Sequence, residues 1–463
     1  MFSVAVSERS VNAPVLTVPA SFEPAEVLPA RLCRRADDAR WFVHTVATKT
    51  AHGETDESGY VRLDSRVLRR VMSKRTQPAV VRALVDAGVI DPPAPYFAGV
   101  RAKGYRLTEK TLGERCKLVE VQDRQLAKRL QRERERLQRE EASRWLPIHH
   151  ELAESQRALT ILSAAGAILD GLAPEAQLCQ RVLVENIERG TLKFTVSNTG
   201  RCFNGLTGLK RDLRKMIRLG GQPIGGADIR CAQPTLLAVL VRLADRRNVP
   251  TYKRLIRPLL DALDRCPPAR RPLSGLSGLL LALSGERAGA PPLAADSALF
   301  ESVVLGGDLY AQLVVECREA EVVLPADPEE ARDRVKVLLM RDVLAKNGCY
   351  GSPFESVFRG AFPSVHRFVR WINRGDHAEL IRTLQRLESW LVVENVAPRL
   401  VGRLPVVTLH DAIYARTEDL PAVVDAFGET FEKLGIQLRV KTETSAAETP
   451  PEERKSRLGP KSA

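Results

Sequence analysis

The sequence has few aromatic residues, no paired cysteines and no long apolar run. Phe, Trp and Tyr together make up only 5% of its 463 residues, which argues against a stacking-rich RNA-binding domain. No apolar run reaches the roughly 20 residues needed to span a bilayer, and the N-terminus lacks the charged-then-apolar pattern of a signal peptide. We therefore expect a soluble, cytoplasmic protein.

The eight cysteines are scattered singly along the chain. Because none of them forms a CxxC pair, we expect neither a zinc site nor a disulfide framework. Buried thiols in a reducing compartment are the simplest interpretation of this pattern.

Positive charge, in contrast, is in excess. The 70 Lys and Arg residues outnumber the 57 Asp and Glu residues, which gives a formal charge of +13. This excess predicts an anionic partner, of which nucleic acid is the commonest. Hydrophobic residues make up 44% of the chain, enough for a sizeable core, and the length suits about three domains or one large enzyme with an appended module.

The first 112 residues divide into two segments. Residues 1–36 contain several Pro and Ala without sustained periodicity, so we expect a flexible lead-in. Residues 37–112 hold three helix-like stretches, a Pro-rich turn and a short hairpin, which is the order of a winged helix-turn-helix. The helix-like stretches are 40–49, 65–72 and 77–87, and the hairpin arms are 96–101 and 103–107.

Basic side chains of this winged segment would face DNA phosphates. They are Arg69, Arg70, Lys74, Arg75, Arg101, Lys103 and Arg106. The alternative is a small helical domain that packs on its neighbour and whose charges are merely solvated.

Two aspartates stand beside apolar, strand-like stretches. Asp228 follows Gly225-Gly226-Ala227, and Asp411 follows the run Val406-Val407-Thr408-Leu409-His410. The second pattern indicates a strand, a tight turn and a strand with a carboxylate at the tip. Such carboxylates can meet on neighbouring strands and hold two divalent cations. Spacing alone leaves open that they are unrelated surface or capping residues.

An ordered series of short motifs between about residues 198 and 441 resembles the family A (DNA polymerase I-like) nucleic-acid polymerases. Asp228 is similar to the aspartate of palm motif A, and His410-Asp411 to the H-D of palm motif C. The other matching segments are Thr199-Gly200-Arg201, Arg214, 306–310, Arg332 with Lys336, and 384–389 with Gln385.

The resemblance implies an α+β fold with a polymerase right hand. A palm with an antiparallel sheet and helical fingers would occupy residues 198–441, and residues 113–197 would form a helical, thumb-like region. Within the latter, the Arg/Glu-interleaved run 124–141 favours a long exposed helix. That helix is either a solvated face or a thumb element along the duplex. Residues 442–463 are polar, and we expect a disordered tail.

The resemblance also implies roles for the motif residues. Asp228 and Asp411 would hold two Mg²⁺ or Mn²⁺ ions. Arg332 and Lys336 are four positions apart, so they share one helical face and could contact the triphosphate together. Lys336 would neutralise the leaving pyrophosphate. The residues expected to bind primer and template are Arg201, Arg214, Gln385, His410, Arg101 and Lys103.

One departure from the family concerns the fingers helix. The base-stacking tyrosine would be Tyr350, but it lies 14 positions beyond Lys336, farther than in the family. Either an insertion intervenes, or Lys346 is the relevant lysine on a shorter, altered helix.

A second departure concerns the choice of sugar. The family has a glutamate five residues after the motif A aspartate, where this chain has Gln233. Glutamine is close in size to glutamate, so steric exclusion of a ribose 2′-OH could persist. Gln233 thus favours DNA synthesis, and a small single-subunit RNA polymerase or primase-like enzyme is the alternative.

The room before the motifs limits the activity we expect. About 200 residues precede Thr199, too few for an exonuclease domain beside a thumb and a winged segment. The sequence therefore predicts a compact DNA polymerase without proofreading, of the kind found in phages or mobile elements.

Residues 241–300 would build fingers helices. A non-catalytic DNA-binding replication or regulatory protein is the alternative from another class.

Overall fold

The computed structural model describes residues 14–97, 101–112, 114–143, 145–244, 295–307, 309–346 and 351–444. These residues form a mixed α+β fold with small antiparallel sheets, and the predicted α+β class is confirmed. Their buried apolar side chains gather in three clusters. We call them the N-terminal core (from Leu16 to Leu178 in sequence), the main core (Ile148 to Leu434) and the bridging core (Leu159 to Val407).

The N-terminal elements form two small sheets and a set of helices around the N-terminal core. Strand β1 pairs with β4, and β2 pairs with β3, both antiparallel. The elements are β1 (Val15–Pro19), α1 (Pro24–Val27), α2 (Ala36–Ala51), β2 (Val61–Leu63), α3 (Ser65–Val71), α4 (Gln77–Asp86), β3 (Lys103–Tyr105), α5 (Glu109–Leu112) and β4 (Cys116–Glu120).

The expected flexible lead-in is wrong for its described part. Residues 14–36 form β1, α1 and a 3-10 turn, and the side chains of Leu16 and Val18 are buried in the N-terminal core. The local sequence pattern did not predict this ordered structure, because the strand that pairs with β1 lies about a hundred residues away at Cys116–Glu120.

The three helices predicted in the winged segment are confirmed as α2, α3 and α4. Helix α3 begins after Asp64, whose carboxylate accepts the backbone N–H of Arg66 at 2.7 Å. Such a cap satisfies a backbone donor that the first helical turn leaves open. Pro78 stands in the first turn of α4, where its missing N–H costs no hydrogen bond.

The hairpin that follows has a different register from the predicted one. Phe97 pairs with Arg101, Ala94 with Gly104 and Ile90 with Leu107, so Arg101 lies on the second arm rather than the first. The first arm includes three prolines, which have no N–H to donate. The arms therefore meet at isolated bridges, while β3 forms its ladder with β2.

Residues 113–197 are helical in part only. They include the helices α6 (Arg124–Ala142), α7 (Pro147–Ser155), α8 (Ala165–Asp170) and α9 (Pro174–Glu188), and also the strands β4, β5 (Leu159–Ile161) and β6 (Thr195–Val196). The expectation of a purely helical region is therefore wrong, because β4 completes the N-terminal sheet and β5 joins the sheet described next. The long helix predicted at 124–141 is confirmed as α6.

A six-stranded antiparallel sheet carries both predicted aspartates. Its strand order is β10-β11-β9-β8-β5, with β12 paired to the other edge of β9. The remaining strands are β7 (Cys202–Phe203), which pairs with β6, and β8 (Ile217–Leu219), β9 (Gln222–Ile229), β10 (Val407–Leu409), β11 (Ala412–Arg416) and β12 (Val440–Thr444). Since β12 includes residues 442–444, the expected disordered tail is wrong at its start, and residues 445–463 lie outside the described ranges.

Helices surround this sheet; the first of them packs Leu213 into the bridging core, and the others build the main core. They are α10 (Arg211–Lys215), α11 (Ala232–Ala244), α12 (Ala295–Gly306), α13 (Leu309–Glu319), α14 (Pro328–Leu339), α15 (Pro353–Ala361), α16 (Pro363–Ile372), α17 (Glu379–Ser389) and α18 (Leu420–Leu434). Among the described residues no single helix is long and apolar enough to cross a membrane. Helices α12 and α13 reach that length only together, across a bend of 118°. Most of the expected fingers segment 241–300 lies outside the described ranges.

Candidate active site

The two predicted aspartates are neighbours in the sheet. Asp228 lies near the end of β9, opposite Ala412 of β11 and Lys441 of β12. Asp411 lies in the tight turn between β10 and β11, and its carbonyl accepts the backbone N–H of Ile229 at 3.4 Å. An antiparallel pairing thus brings together two carboxylates that are far apart in sequence.

The turn that presents Asp411 depends on His410. This residue has φ 56°, a left-handed conformation that allows the chain to reverse between two three- to five-residue strands. Its ring meets Phe203 edge-on, with 6.0 Å between the ring centroids. Burial, together with Arg201 and Arg214 nearby, lowers the pKa of His410 to about 4, so the imidazole is neutral at pH 7.

Both carboxylates resist ionisation. Burial raises the pKa of Asp411 to about 6, and the negative charge of Asp228 adds to the effect. Burial likewise raises the pKa of Asp228, although Lys441 opposes the shift. Two acids that share a partly dry site raise each other's pKa because both cannot ionise without cost.

The donor atoms fit a hard divalent cation. Within the described ranges, the Oδ1 atom of Asp228 is buried and has no hydrogen-bond partner. Carboxylate oxygens are the ligands that Mg²⁺ prefers. No cluster of three or more His, Cys, Asp or Glu arranged as metal ligands occurs in those ranges. An ion here would therefore use Asp228 and Asp411 together with oxygens from substrate or water.

A cationic helix face lies beside the aspartates. Arg332 and Lys336 on α14 both approach the ring of Tyr310 on α13, at 5.9 and 5.7 Å from its centroid. Lys336 also forms an exposed ion pair with Asp333 at 2.6 Å. Burial raises the pKa of the Tyr310 hydroxyl, and the charges of Arg332 and Asp411 both act on it. The Tyr310 hydroxyl is therefore subject both to the charge of the cationic face and to that of Asp411.

Cys231 links Asp228 to the same helix face. Burial raises the pKa of its thiol, while Arg332, Arg230 and Lys336 oppose the rise and Asp228 adds to it. The charges of Asp228 and of both α14 cations therefore act on this one thiol. Arg332 and Lys336, the two residues predicted to contact a triphosphate, both act on Cys231, three positions after Asp228.

Arg201 reaches the site from a turn that only glycine permits. Gly200 has φ 80°, and a Cβ there would come within 3.1 Å of the Arg386 guanidinium. The turn directs Arg201 to Glu388 on α17, and the two form a buried ion pair at 2.7 Å. Burial raises the pKa of Glu388 to about 7 against the pull of Arg201, and Asp411 adds to the rise.

Arg214 on α10 is a second arginine close to His410. It hydrogen-bonds to the hydroxyl of Tyr414 on β11 and lowers the pKa of that group, which burial raises. The charges of Arg201 and Arg214 both act on His410. Three of the four residues expected to bind primer and template in the core therefore gather at the β10–β11 turn.

Two other predicted residues lie beside the site without a mapped contact to it. Gln233 is half-buried near the start of α11, five residues after Asp228, and its Oε1 has no hydrogen-bond partner among the described residues. Gln385 is half-buried on α17, one turn before Glu388. Arg101 and Lys103 belong to the N-terminal hairpin, in a separate groove.

The alternative lysine of the fingers motif is engaged elsewhere. Lys346 is buried and forms an ion pair with Glu355 at 2.5 Å, and Glu355 also contacts His366 at 2.9 Å. Lys336, in contrast, lies on the face toward Tyr310. Of the two lysines, Lys336 is therefore the one that faces the site. Tyr350 lies outside the described ranges.

Three residues of the site were not predicted as site residues: Glu388, Tyr310 and Cys231. Each lies in or next to a segment that the motifs covered, so position in the sequence pointed to their neighbourhood. Their roles depend on partners far along the chain, such as Arg201, which is 187 positions from Glu388. A spacing of three residues after Gln385, on one helical face, is the only local signal for Glu388.

No model of a known protein family matches the chain, and no curated protein is similar to it in sequence.

Proposed function

We propose that the chain is a template-directed DNA polymerase that resembles family A and extends a primer 3′ end with deoxynucleotides. The observation that carries the proposal is the closeness of two aspartates: Asp228 lies near the end of β9, and Asp411 lies in the turn that leads into the adjoining strand β11. The cations of α14 act on Cys231 and Tyr310 next to them. In this proposal the six-stranded sheet is the palm, α11 to α14 contribute to the fingers, α6 belongs to the thumb, and the winged segment contacts DNA.

The residues of this chain would bind the nucleotide mainly by charge. Arg332 and Lys336 present two cations to a triphosphate, and the ring of Tyr310 orients both by cation–π contact. A bound divalent cation would supply activation of the primer 3′-hydroxyl and neutralisation of phosphate charge. Asp228 and Asp411 are the carboxylates that would hold it.

A second group of residues would hold the primer end. Arg201 is fixed by Glu388 and by the Gly200 turn, so its guanidinium is preorganised rather than free to rotate. Arg214 is the second cation whose charge acts on the neutral His410. Two fixed cations beside the aspartates suit a phosphate or base edge at the primer terminus.

Primer extension tests the proposal. We expect Asp228→Asn and Asp411→Asn to lower the rate of dNTP incorporation by at least about a hundredfold, because each removes a charged ligand that the transition state needs. Asp425→Asn, on the exposed face of α18, is the matched control and should extend normally with Mg²⁺ or Mn²⁺. Full extension by Asp411→Asn would contradict the catalytic assignment. DNA binding without extension by the native chain would favour the non-catalytic alternative.

Sugar choice separates the DNA polymerase from an RNA polymerase or primase-like enzyme. We expect the native chain to incorporate dNTPs in preference to rNTPs on a primed template. Gln233→Gly should reduce this preference, because it removes side-chain bulk beside the site. Preference for rNTPs by the native chain would overturn the DNA-synthesising assignment while leaving nucleotidyl transfer intact.

A further inference from the structure

A large groove lies between the helices and the hairpin of the winged segment. It has a volume of about 1040 Å³ and is open to solvent along one side. We call it the wing groove. Its walls are α3, α4 and the two hairpin arms, with Leu68, Val81 and Tyr105 among the apolar residues at its base.

The wing groove is positively charged. Its basic residues are Arg66, Arg69, Arg82, Arg101 and Lys103, and its acidic residues are Asp64 and Asp86. Asp64 is already bound to Arg66 at 2.7 Å and caps α3. The surplus of cations along an open channel suits a polyanion.

Two basic residues expected to face phosphates do not contribute to this surplus. Arg70 is paired with Glu133 of α6 at 2.8 Å, and Arg106 is paired with Asp91 at 2.7 Å. Of the other basic residues expected to face phosphates, Arg69, Arg101 and Lys103 line the groove, whereas Lys74 and Arg75 are exposed outside it.

Exposed aromatic rings stand at the mouth of the groove. Tyr96 is 64% exposed and Phe97 is 46% exposed, in a chain whose described part exposes only one other aromatic ring to a similar extent. The guanidinium of Arg101 lies 4.4 Å from the centre of the Phe97 ring. Neighbouring aromatic and Arg planes beside a basic channel are the arrangement on which unpaired bases stack.

Helix α4 offers little for reading a duplex. Its exposed face consists of Pro78, Arg82 and Asp86, spaced four residues apart. Arg82 is the one donor that could reach a base edge, and Asp86 would repel phosphates. The bases of a duplex are stacked on each other and cannot lie on Tyr96 or Phe97.

We propose that the wing groove binds single-stranded DNA, with bases stacked on Tyr96 and Phe97 and phosphates along Arg69, Arg82 and Lys103. This inference rests on the proposed contact between the winged segment and DNA, and it specifies the strand state. An unpaired template strand is the single strand that a polymerase would hold there.

Fluorescence anisotropy with the full chain tests this proposal. The probes are a labelled oligothymidylate of twenty nucleotides and a labelled duplex of equal length at the same salt concentration. We expect tighter binding to the oligothymidylate. The double variant Tyr96→Ala/Phe97→Ala should bind it at least about fivefold more weakly, because each stacked base is lost, with duplex binding unchanged.

Two controls keep the outcome interpretable. The variant Tyr96→Phe/Phe97→Tyr retains both rings and should bind as the native chain does. Val323→Ala, at a side chain that is 91% exposed outside the groove, should change nothing. Circular dichroism of each variant establishes that a loss of binding is not a loss of folding.

The inference and the proposed function fail in different ways. Equal affinity for duplex, or native binding by Tyr96→Ala/Phe97→Ala, would overturn the wing-groove inference and leave polymerase activity untouched. Binding to neither probe would also overturn the inference. Extension by Asp411→Asn would overturn the proposed function even if the groove bound the oligothymidylate as expected.

Discussion

Single side chains decide the charge of the candidate site. Burial raises the pKa of Asp411 to about 6 and that of Glu388 to about 7, and it lowers the pKa of His410 to about 4. At neutral pH the histidine carries no charge and Glu388 is only partly ionised. Arg201 and Arg214 remain charged, so the site attracts anions more strongly than the numbers of its acidic and basic residues suggest.

His149 supports the start of α7 only while it is neutral. Its Nδ1 accepts the backbone N–H of Leu146, the residue before the helix, at 3.0 Å. Burial lowers the pKa of His149 to about 4. Between pH 6.5 and 4 the unfolded chain therefore binds a proton there that the folded chain does not.

We expect His149 to contribute to acid sensitivity. The free energy of unfolding should fall as the pH drops from 6.5 toward 4, by up to roughly 3 kcal/mol from this group. Urea unfolding at several pH values measures the slope. His149→Gln keeps an acceptor at the same capping position and does not titrate, so its slope should be shallower. An unchanged slope would show that His149 titrates alike in the folded and unfolded chains and would contradict the prediction.

The aspartates could be predicted from the sequence, and their companions could not. A β-branched run that ends in His410-Asp411 is a local pattern, and so is the glycine-rich approach to Asp228. The role of Glu388 depends on its ion pair with Arg201, which lies 187 positions away in the sequence. Contacts over that distance leave no periodicity in a single sequence.

Strand β9 is the element on which the site depends. It pairs with β11 on one edge and with β12 on the other, and Gly225 and Gly226 give it almost no side-chain bulk before Asp228. A Cβ at Gly225 would lie 2.6 Å from the Leu420 side chain and 2.9 Å from the Glu443 carbonyl oxygen. Since that oxygen belongs to the backbone of β12, the strand itself would have to move.

We therefore expect Gly225→Ala to lower both the melting temperature and the rate of extension. Overpacking of this kind costs about 1–3 kcal/mol. Gly428→Ala is the control, because a Cβ there meets nothing within 4 Å and the residue is exposed within α18. That change should be neutral or stabilise the helix by up to about 1 kcal/mol. Thermal melts of both variants make the comparison, and equal melting temperatures would contradict it.

Helices were easier to predict than strand partners. The stretches assigned to α2, α3, α4 and α6 have the helical period and clear ends. Strand β1 and the hairpin arms depend on pairing, and prolines between Ile90 and Phe97 removed the alternation that would have fixed the register.

Helix α9 joins two parts of the molecule. Leu178 is buried in the N-terminal core, whereas Leu183, Val184 and Ile187 are buried in the bridging core. Glu185 of the same helix accepts a hydrogen bond from the Thr17 hydroxyl at 3.2 Å. One rigid helix thereby connects the winged segment to the sheet that holds the aspartates.

We expect Leu178→Ala to weaken this connection. A buried Leu→Ala change costs about 2–5 kcal/mol, and here the loss falls on the N-terminal core. Trp41 lies in that core, and its fluorescence can be followed alone when the other tryptophans are replaced by Phe. In this background we expect Leu178→Ala to lower the melting temperature that Trp41 reports. Leu236→Ala, in the main core, should leave the Trp41 transition in place. A shift of the Trp41 signal in both variants would show that the two cores melt together.

The pairing of β9 with β11 has a consequence for the time at which the protein becomes active. Asp411 follows Asp228 by 183 residues (411 minus 228), and β12 follows later still. A ribosome releases Asp228 long before β11 and β12 have been synthesised. At that stage the nascent chain has only one of the two aspartates, and the site is not assembled. Folding of this sheet waits for long-range contacts, so under the proposed function no nucleotide could be added before β11 and β12 have been synthesised.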